Sequence, residues 1–243
     1  MSEAKGNGGL RVAAIGDVHA SATAKGRWQD TLTEISTRAD VLCLCGDLTN
    51  HGTVAEAQSL ADDLRGCKVP VLAVLGNHDH QCGCAPEVVR TLCDVGVRFL
   101  EDEVHEVAGV GFAGVKGFGG GFDDQMLDPF GEPAIKSFVQ EVLDEALRLE
   151  HALKTLETER RVVVLHYAPV AATVAGEPPA IFPFLGCSRL AETIDRFEGI
   201  AAILHGHAHH GTYEGRTRRG FPVFNVAAPV TKPTGKPYAL IEV

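Results

Sequence analysis

Five apolar runs along this chain end in the same way, at a small polar cluster. Residues 12–15 lead into Gly16-Asp17-Val18-His19, and residues 41–45 into Gly46-Asp47. Residues 69–75 lead into Gly76-Asn77-His78-Asp79, and residues 161–165 into His166. Ile203-Leu204-His205 leads into Gly206-His207-Ala208-His209. Short continuous apolar runs predict buried strands. Parallel strands of an open sheet align their C-terminal ends, and ligands bind there. Five such ends on one edge would gather residues from position 17 to position 209 into one site.

The segments between the runs have helical spacing. Residues 28–37, 53–65 and 86–94 predict helices, the second with Thr53 as N-cap and Glu56 completing a capping box. Pro86 falls in the first turn of the third, where its missing N–H costs nothing. This strand–helix alternation predicts a parallel sheet covered by helices. The middle of the chain differs. Residues 104–107 and 110–115 predict antiparallel strands, and residues 117–124 are too glycine-rich for the interior of an element. Residues 133–159 predict a long amphipathic helix, acidic early and basic late, as its dipole favours. Residues 221–226 and 238–243 are terminal strand candidates. Residues 1–9 are small, polar and glycine-rich, and predict a disordered lead-in. Neither a repeat nor a linker divides residues 10–243, so a single domain of two packed sheets flanked by helices is expected.

Composition narrows the function. A chain of 243 residues can bury a sizeable core. The net charge of −10 disfavours a nucleic-acid polymer as partner, because such binding draws on clustered Lys and Arg. A small phosphorylated substrate stays open, since bound metal cations supply local positive charge. No apolar stretch reaches membrane-span length, and no secretory signal is visible. Seven cysteines without a CxxC pair point to free thiols in the cytoplasm. Cys82-Gly83-Cys84 follows a candidate ligand segment, but neighbouring Asp and His suit the site better.

The chemistry lies in the strand-end clusters. Asp17 and His19 are two apart and share a side of an extended strand end. Asp47 has two oxygens and can bridge two ions. Asn77 offers a neutral amide oxygen, and His166, His207 and His209 add imidazoles. Mixed nitrogen and oxygen ligands suit Mn, Fe, Zn or Co, rather than Ca or Cu(I). Buried acids and imidazoles are costly without a partner, and a metal satisfies them together.

The ordered set GDxH, GD, GNHD, H and GHxH resembles the calcineurin-like metallophosphoesterases, and within them the class III cyclic-nucleotide phosphodiesterases. The resemblance spans residues 16–209. It implies an α/β fold, a four-layer αββα sandwich of two mixed β-sheets flanked by helices. It implies two divalent or trivalent transition-metal ions, Mn, Fe or Zn, at the sheet edge. Asp17, His19, Asp47 and His209 would surround one ion, and Asp47, Asn77, His166 and His207 the other.

Two cations about 3.5–4 Å apart can hold a bridging hydroxide for in-line attack on phosphorus. His78 adjoins a ligand without belonging to the ligand set, so it can protonate the leaving group, with Asp79 orienting its ring. Protein Ser/Thr phosphatases of this superfamily carry an Arg where this chain has His51. Its absence shifts weight towards a small phosphodiester, such as a cyclic nucleotide, and His51 becomes a candidate phosphate contact. Phe118 and Phe122 could stack on a base from a glycine-rich lid over residues 116–125. The alternatives are a phosphatase acting on a small phosphorylated metabolite and a non-catalytic protein-binding scaffold. Retention of His78 and of every implied ligand weighs against the scaffold.

Overall fold

The computed structural model describes residues 9–101 and 103–243. The expected lead-in lies outside them except for Gly9, whose N–H donates to the Glu242 carboxylate at 3.1 Å. The first half alternates β1 (Arg11–Ile15), α1 (Gln29–Arg38), β2 (Val41–Cys45), α2 (Val54–Leu64), β3 (Val71–Val74), α3 (Ala85–Cys93) and β4 (Val97–Phe99). There follow β5 (His105–Val107), β6 (Val110–Val115), α4 (Pro133–Thr155) and β7 (Arg160–Leu165). The last part holds α5 (Phe182–Leu185), α6 (Ser188–Ile194), β8 (Ile200–His205), β9 (Glu214–Arg216), β10 (Pro222–Asn225) and β11 (Ala239–Glu242).

Two mixed sheets result. One has the order β11-β1-β2-β3-β4, with β11 the antiparallel member. The other has the order β5-β6-β7-β8-β10-β9, parallel from β6 to β10 and antiparallel at both edges. Side chains alternate across each strand. Val12, Ala14, Val41 and Cys43 of one sheet therefore meet Phe112, Val162, Val164 and Leu204 of the other. The opposite faces are covered as well. Ala13, Ile15, Leu42 and Leu44 pack on α1, α2 and α3, while Ala113, Val163, Leu165 and Ile203 pack on α4 and α6. The molecule is thus a four-layer αββα sandwich. Strands buried on both faces have no polar alternation, which is why they read as unbroken apolar runs.

Helix α2 starts where its sequence predicts. The Thr53 hydroxyl accepts from the Glu56 N–H at 3.3 Å, and Glu56 accepts from the Thr53 N–H at 3.2 Å. Its Ala57, Leu60, Ala61 and Leu64 are buried at helical spacing. Replacing Thr53 with Ala is expected to lower stability by about 0.5–2 kcal/mol. A lower urea midpoint at unchanged m-value checks this.

Candidate metal centre

The C-terminal ends of β1, β2, β3, β7 and β8 meet at one edge of the sandwich. Backbone hydrogen bonds tie them: Asp17 N–H donates to the Gly46 carbonyl at 3.0 Å, and His19 N–H to the Asp47 carbonyl at 2.9 Å. Gly206 N–H donates to the His166 carbonyl at 3.1 Å, tying β8 to β7, and the two sheets are joined by Gly16 N–H, which donates to the Val226 carbonyl after β10 at 2.9 Å. Gly46 must be glycine. Its φ is +78°, and a Cβ there would overlap the His166 imidazole. Asp17, His19, Asp47 and His207 also have positive φ, four of the six such non-glycine residues among those described. Each of these conformations costs about 1–3 kcal/mol, and such strain gathers at functional sites.

The side chains converge in three overlapping groups: Asp17, His19 and His209; His19, Asp47 and His78; Asp47, His166 and His207. Within each, one ligand atom per residue lies within 4.8 Å of the others. Asp47 stands at the middle. Its Oδ1 is 3.4 Å from His166 Nε2, and its Oδ2 is 3.8 Å from His19 Nε2 and 3.9 Å from His78 Nε2. These separations are too long for hydrogen bonds and suit atoms arranged around a cation.

The surrounding carbonyls decide which ring nitrogens face inward. A carbonyl only accepts, so the ring nitrogen beside it carries the proton. His166 Nδ1 donates to the Cys45 carbonyl at 3.0 Å, which leaves its Nε2 lone pair facing inward. That lone pair is 2.9 Å from the Asn77 oxygen. Two acceptors and the Asp47 carboxylate thus point at one place without a proton between them, and a cation satisfies all three. His207 Nε2 donates to the Phe184 carbonyl at 3.0 Å, so its Nδ1 faces the centre. His19 Nδ1 is buried and has no hydrogen-bond partner.

Electrostatics agree with this donor set. Burial pushes Asp17 up, but the His209 hydrogen bond at 2.7 Å and nearby imidazoles outweigh it and hold the carboxyl at about 2. Burial and the Asp17 charge raise Asp47. Burial lowers His19 and His166, and with the His166 imidazole it takes His207 down to about 4. Two close carboxylates lie beside His19, His166 and His207, whose charged forms burial disfavours, while the Asp17 hydrogen bond raises His209; transition-metal ions would supply the positive charge that the site lacks.

Several expected site residues take other places. Asp79 does not orient His78. It is fully buried and accepts from the N–H groups of Leu48, Thr49 and Gly76 and from the Thr49 hydroxyl. A carboxylate behind a tight turn is captured by the turn's free N–H groups, and His78 is turned the other way. The Asn50 carbonyl orients His78 instead, accepting from Nδ1 at 2.7 Å, while the His78 N–H donates to Asp47 Oδ1 at 2.9 Å. His51 pairs with Glu56 of α2 at 2.8 Å, because the capping carboxylate is its nearest charge.

Phe122 is only 4% exposed and packs on Phe182, Ala168 and Leu185, so it has no base-stacking face. Phe118 does lie by the centre, against Phe138 and Tyr167. The glycine-rich segment is no lid. Gly120 N–H donates to the Pro183 carbonyl at 2.6 Å and Gly121 N–H to the Gly186 carbonyl at 2.9 Å, and a Cβ on Gly119 would strike Pro183. These glycines let two backbones pack together. Cys82 and Cys84 donate to the Gly52 and Cys82 carbonyls and stand outside the three groups.

Sequence reading missed Asn50, whose contribution is a main-chain atom that no motif marks, and Tyr167, whose ring lies 4.5 Å from that of His207. His205 stands behind the site. That residue is buried, with Nε2 2.8 Å from the Thr173 hydroxyl.

Such a centre, at the strand ends of such a sandwich, is the equipment of a metal-dependent hydrolase. Residues 10–211 match the calcineurin-like phosphoesterase family, and the chain belongs to it. Among solved structures, phosphopantetheinyl hydrolase from Mycobacterium tuberculosis is similar with a TM-score of 0.67 at 16% identity, covering 96% of each chain. TT1561 of Thermus thermophilus is similar with a TM-score of 0.58 at 17% identity, covering 96% of this chain and 99% of its own. At these identities the likeness is one of fold. No curated protein matches the sequence.

Proposed function

We propose that this chain is a dinuclear metal-dependent phosphoesterase that hydrolyses a small phosphodiester in the cytoplasm, acting as a single domain over residues 10–243. Asp17, His19, Asp47 and His209 would hold one ion, and Asp47, Asn77, His166 and His207 the other, with Mn, Fe or Zn as the metals. The observation that carries the reading is Asp47, whose two oxygens face imidazoles of different clusters. Free, buried Cys43, Cys45 and Cys187 suit a reducing compartment. No helix among the described residues is long and apolar enough to cross a membrane.

When bound, the metal pair supplies a nucleophile from water at neutral pH and neutralises phosphate charge. The chain's own residues do the rest. Cys45 and Phe184 carbonyls fix the His166 and His207 tautomers, so both present lone pairs. Asn50 holds His78 with Nε2 towards Asp47, where its imidazolium form donates a proton to the departing oxygen. Asp79 ties the turn carrying Asn77 and His78 to the end of β2, which keeps both side chains in place.

Substrate charge supports a diester. Among the described residues, no Arg or Lys side chain hydrogen-bonds or ion-pairs with the centre, and His51, where an Arg would clamp a dianion, is engaged with Glu56. A diester carries one negative charge fewer than a monoester dianion. Metal-reconstituted protein is therefore expected to turn over diesters at least as well as monoesters, and chelator-stripped protein neither. Steady-state kcat/KM across a panel that includes a cyclic nucleotide and a phosphopantetheinyl ester tests this. A strong monoester preference would replace the diesterase with a phosphatase of small metabolites.

A further inference from the structure

A cavity of about 420 Å³ opens directly beside the candidate centre. Asn77 and His207 form its inner wall, and Phe118, Phe138, Tyr167 and Phe184 form most of the remainder. The aromatic wall is continuous. Ring centroids are 4.9 Å apart for Phe118 and Phe138, 5.7 Å for Phe118 and Tyr167, and 6.4 Å for Phe138 and Phe184. The segment carrying Phe184 is fastened to the centre, because its carbonyl accepts the His207 Nε2–H.

Two features set the chemistry of an occupant. The lining holds no Lys, Arg, Asp or Glu. Lys116 lies 4.8 Å from the Phe118 ring centroid and 5.5 Å from that of Tyr167, but its ammonium donates to the Gly117 carbonyl and it is not part of the lining. Secondly, the rim presents large apolar side chains to water: Phe184 is 61% exposed and Ile181 39%. Apolar surface at the mouth of a concave site marks a place where a ligand covers it.

We propose that this cavity receives the organic group of the phosphoester, and that this group is uncharged and mainly apolar, of aryl type or similar bulk, with no second phosphate or carboxylate. This rests on the phosphoesterase reading, in which the phosphoryl group would lie at the centre that Asn77 and His207 help to form. Aromatic walls favour a planar group by stacked or edge contacts. An anionic group would enter without a countercharge and lose its hydration.

Calorimetric titration of metal-loaded protein with methylphosphonate, phenylphosphonate and 4-carboxyphenylphosphonate tests it. Phenylphosphonate is expected to bind about tenfold or more tightly than methylphosphonate, from burial of the ring. The added carboxylate is expected to remove that gain. Phe184→Ser and Ile181→Ser change exposed side chains, and each should bring the phenyl-to-methyl ratio towards one, with circular dichroism confirming the fold. Equal affinities across the series, tightest binding of the carboxyphenyl compound, or a ratio unmoved by both substitutions would overturn the proposal. Ester hydrolysis on the same samples separates the two readings. Turnover without discrimination along the series keeps the enzyme and removes the pocket. The expected phenyl gain without any turnover keeps the pocket and removes the enzyme.

Discussion

Asp47→Asn is expected to empty the centre of both ions. Asp47 is 1% exposed and faces His166 with one oxygen and His19 with the other. Asparagine keeps the shape but removes the charge and turns one of those oxygens into an NH₂ donor, which cannot ligate. Asp17→Asn disturbs one cluster only, since Asp17 groups with His19 and His209. Metal analysis after dialysis is expected to show close to none in Asp47→Asn and roughly half of the wild-type content in Asp17→Asn. Metal stabilisation of transition-state charge is worth several kcal/mol. At 1.36 kcal/mol per tenfold, about 4 kcal/mol is roughly a thousandfold loss of kcat in Asp47→Asn. Two full equivalents of metal in that variant would end the bridging role. The strain at φ +48° persists in either residue, so stability is not expected to account for the difference.

His78→Ala should separate chemistry from metal binding. His78 lies within ligand distance of Asp47 and His19, so geometry alone leaves it between two roles. Its side chain is 37% exposed, which places it at the mouth of the site. If it serves the leaving group, both ions stay and the rate falls by about 10²–10⁴-fold on esters of alkyl alcohols. The same variant should lose far less on a p-nitrophenyl ester, whose departing anion needs no proton. Single-turnover rates at saturating metal, with metal content measured alongside, decide the matter. An equal loss on both esters would make His78 a phosphate-positioning group, and loss of an ion would make it a ligand. Asn50 contributes a carbonyl that side-chain substitution leaves in place, so the hydrogen bond that orients His78 survives in Asn50→Ala.

The extent to which the site is legible in the sequence varies by residue, for physical reasons. A strand buried on both faces must be apolar throughout, so the polar residue that ends it stands out. That contrast is enough to single out Asp17, Asp47, Asn77, His166 and His207. The capping box at Thr53 and Glu56 is legible because both partners lie within one turn. Strands β4 and β9 leave no comparable mark. Each has three residues and lies at or next to a sheet edge, where pairing is decided by neighbours far along the chain. Asp79 is misplaced by its sequence because adjacency says nothing about direction after a tight turn, and its carboxylate follows the free N–H groups beneath it. The glycines at 119–121 signal close backbone approach, but not whether a ligand or the chain itself approaches. The answer lies more than sixty residues away, at Pro183 and Gly186.

Periodicity and spacing are local quantities, and by themselves they determined the strand–helix order and the two-sheet class, and singled out the Asp, Asn and His at the strand ends as candidate metal ligands. Other features join residues distant in the chain, and only the tertiary structure decided them. Carbonyls of Cys45 and Phe184 select the ring nitrogens of His166 and His207. The aromatic cavity takes its walls from residues 118, 138, 167 and 184, which carry no shared motif. A tautomer or a pocket depends on which groups come within a few ångströms of each other, and that is settled by packing of the two sheets and their helices.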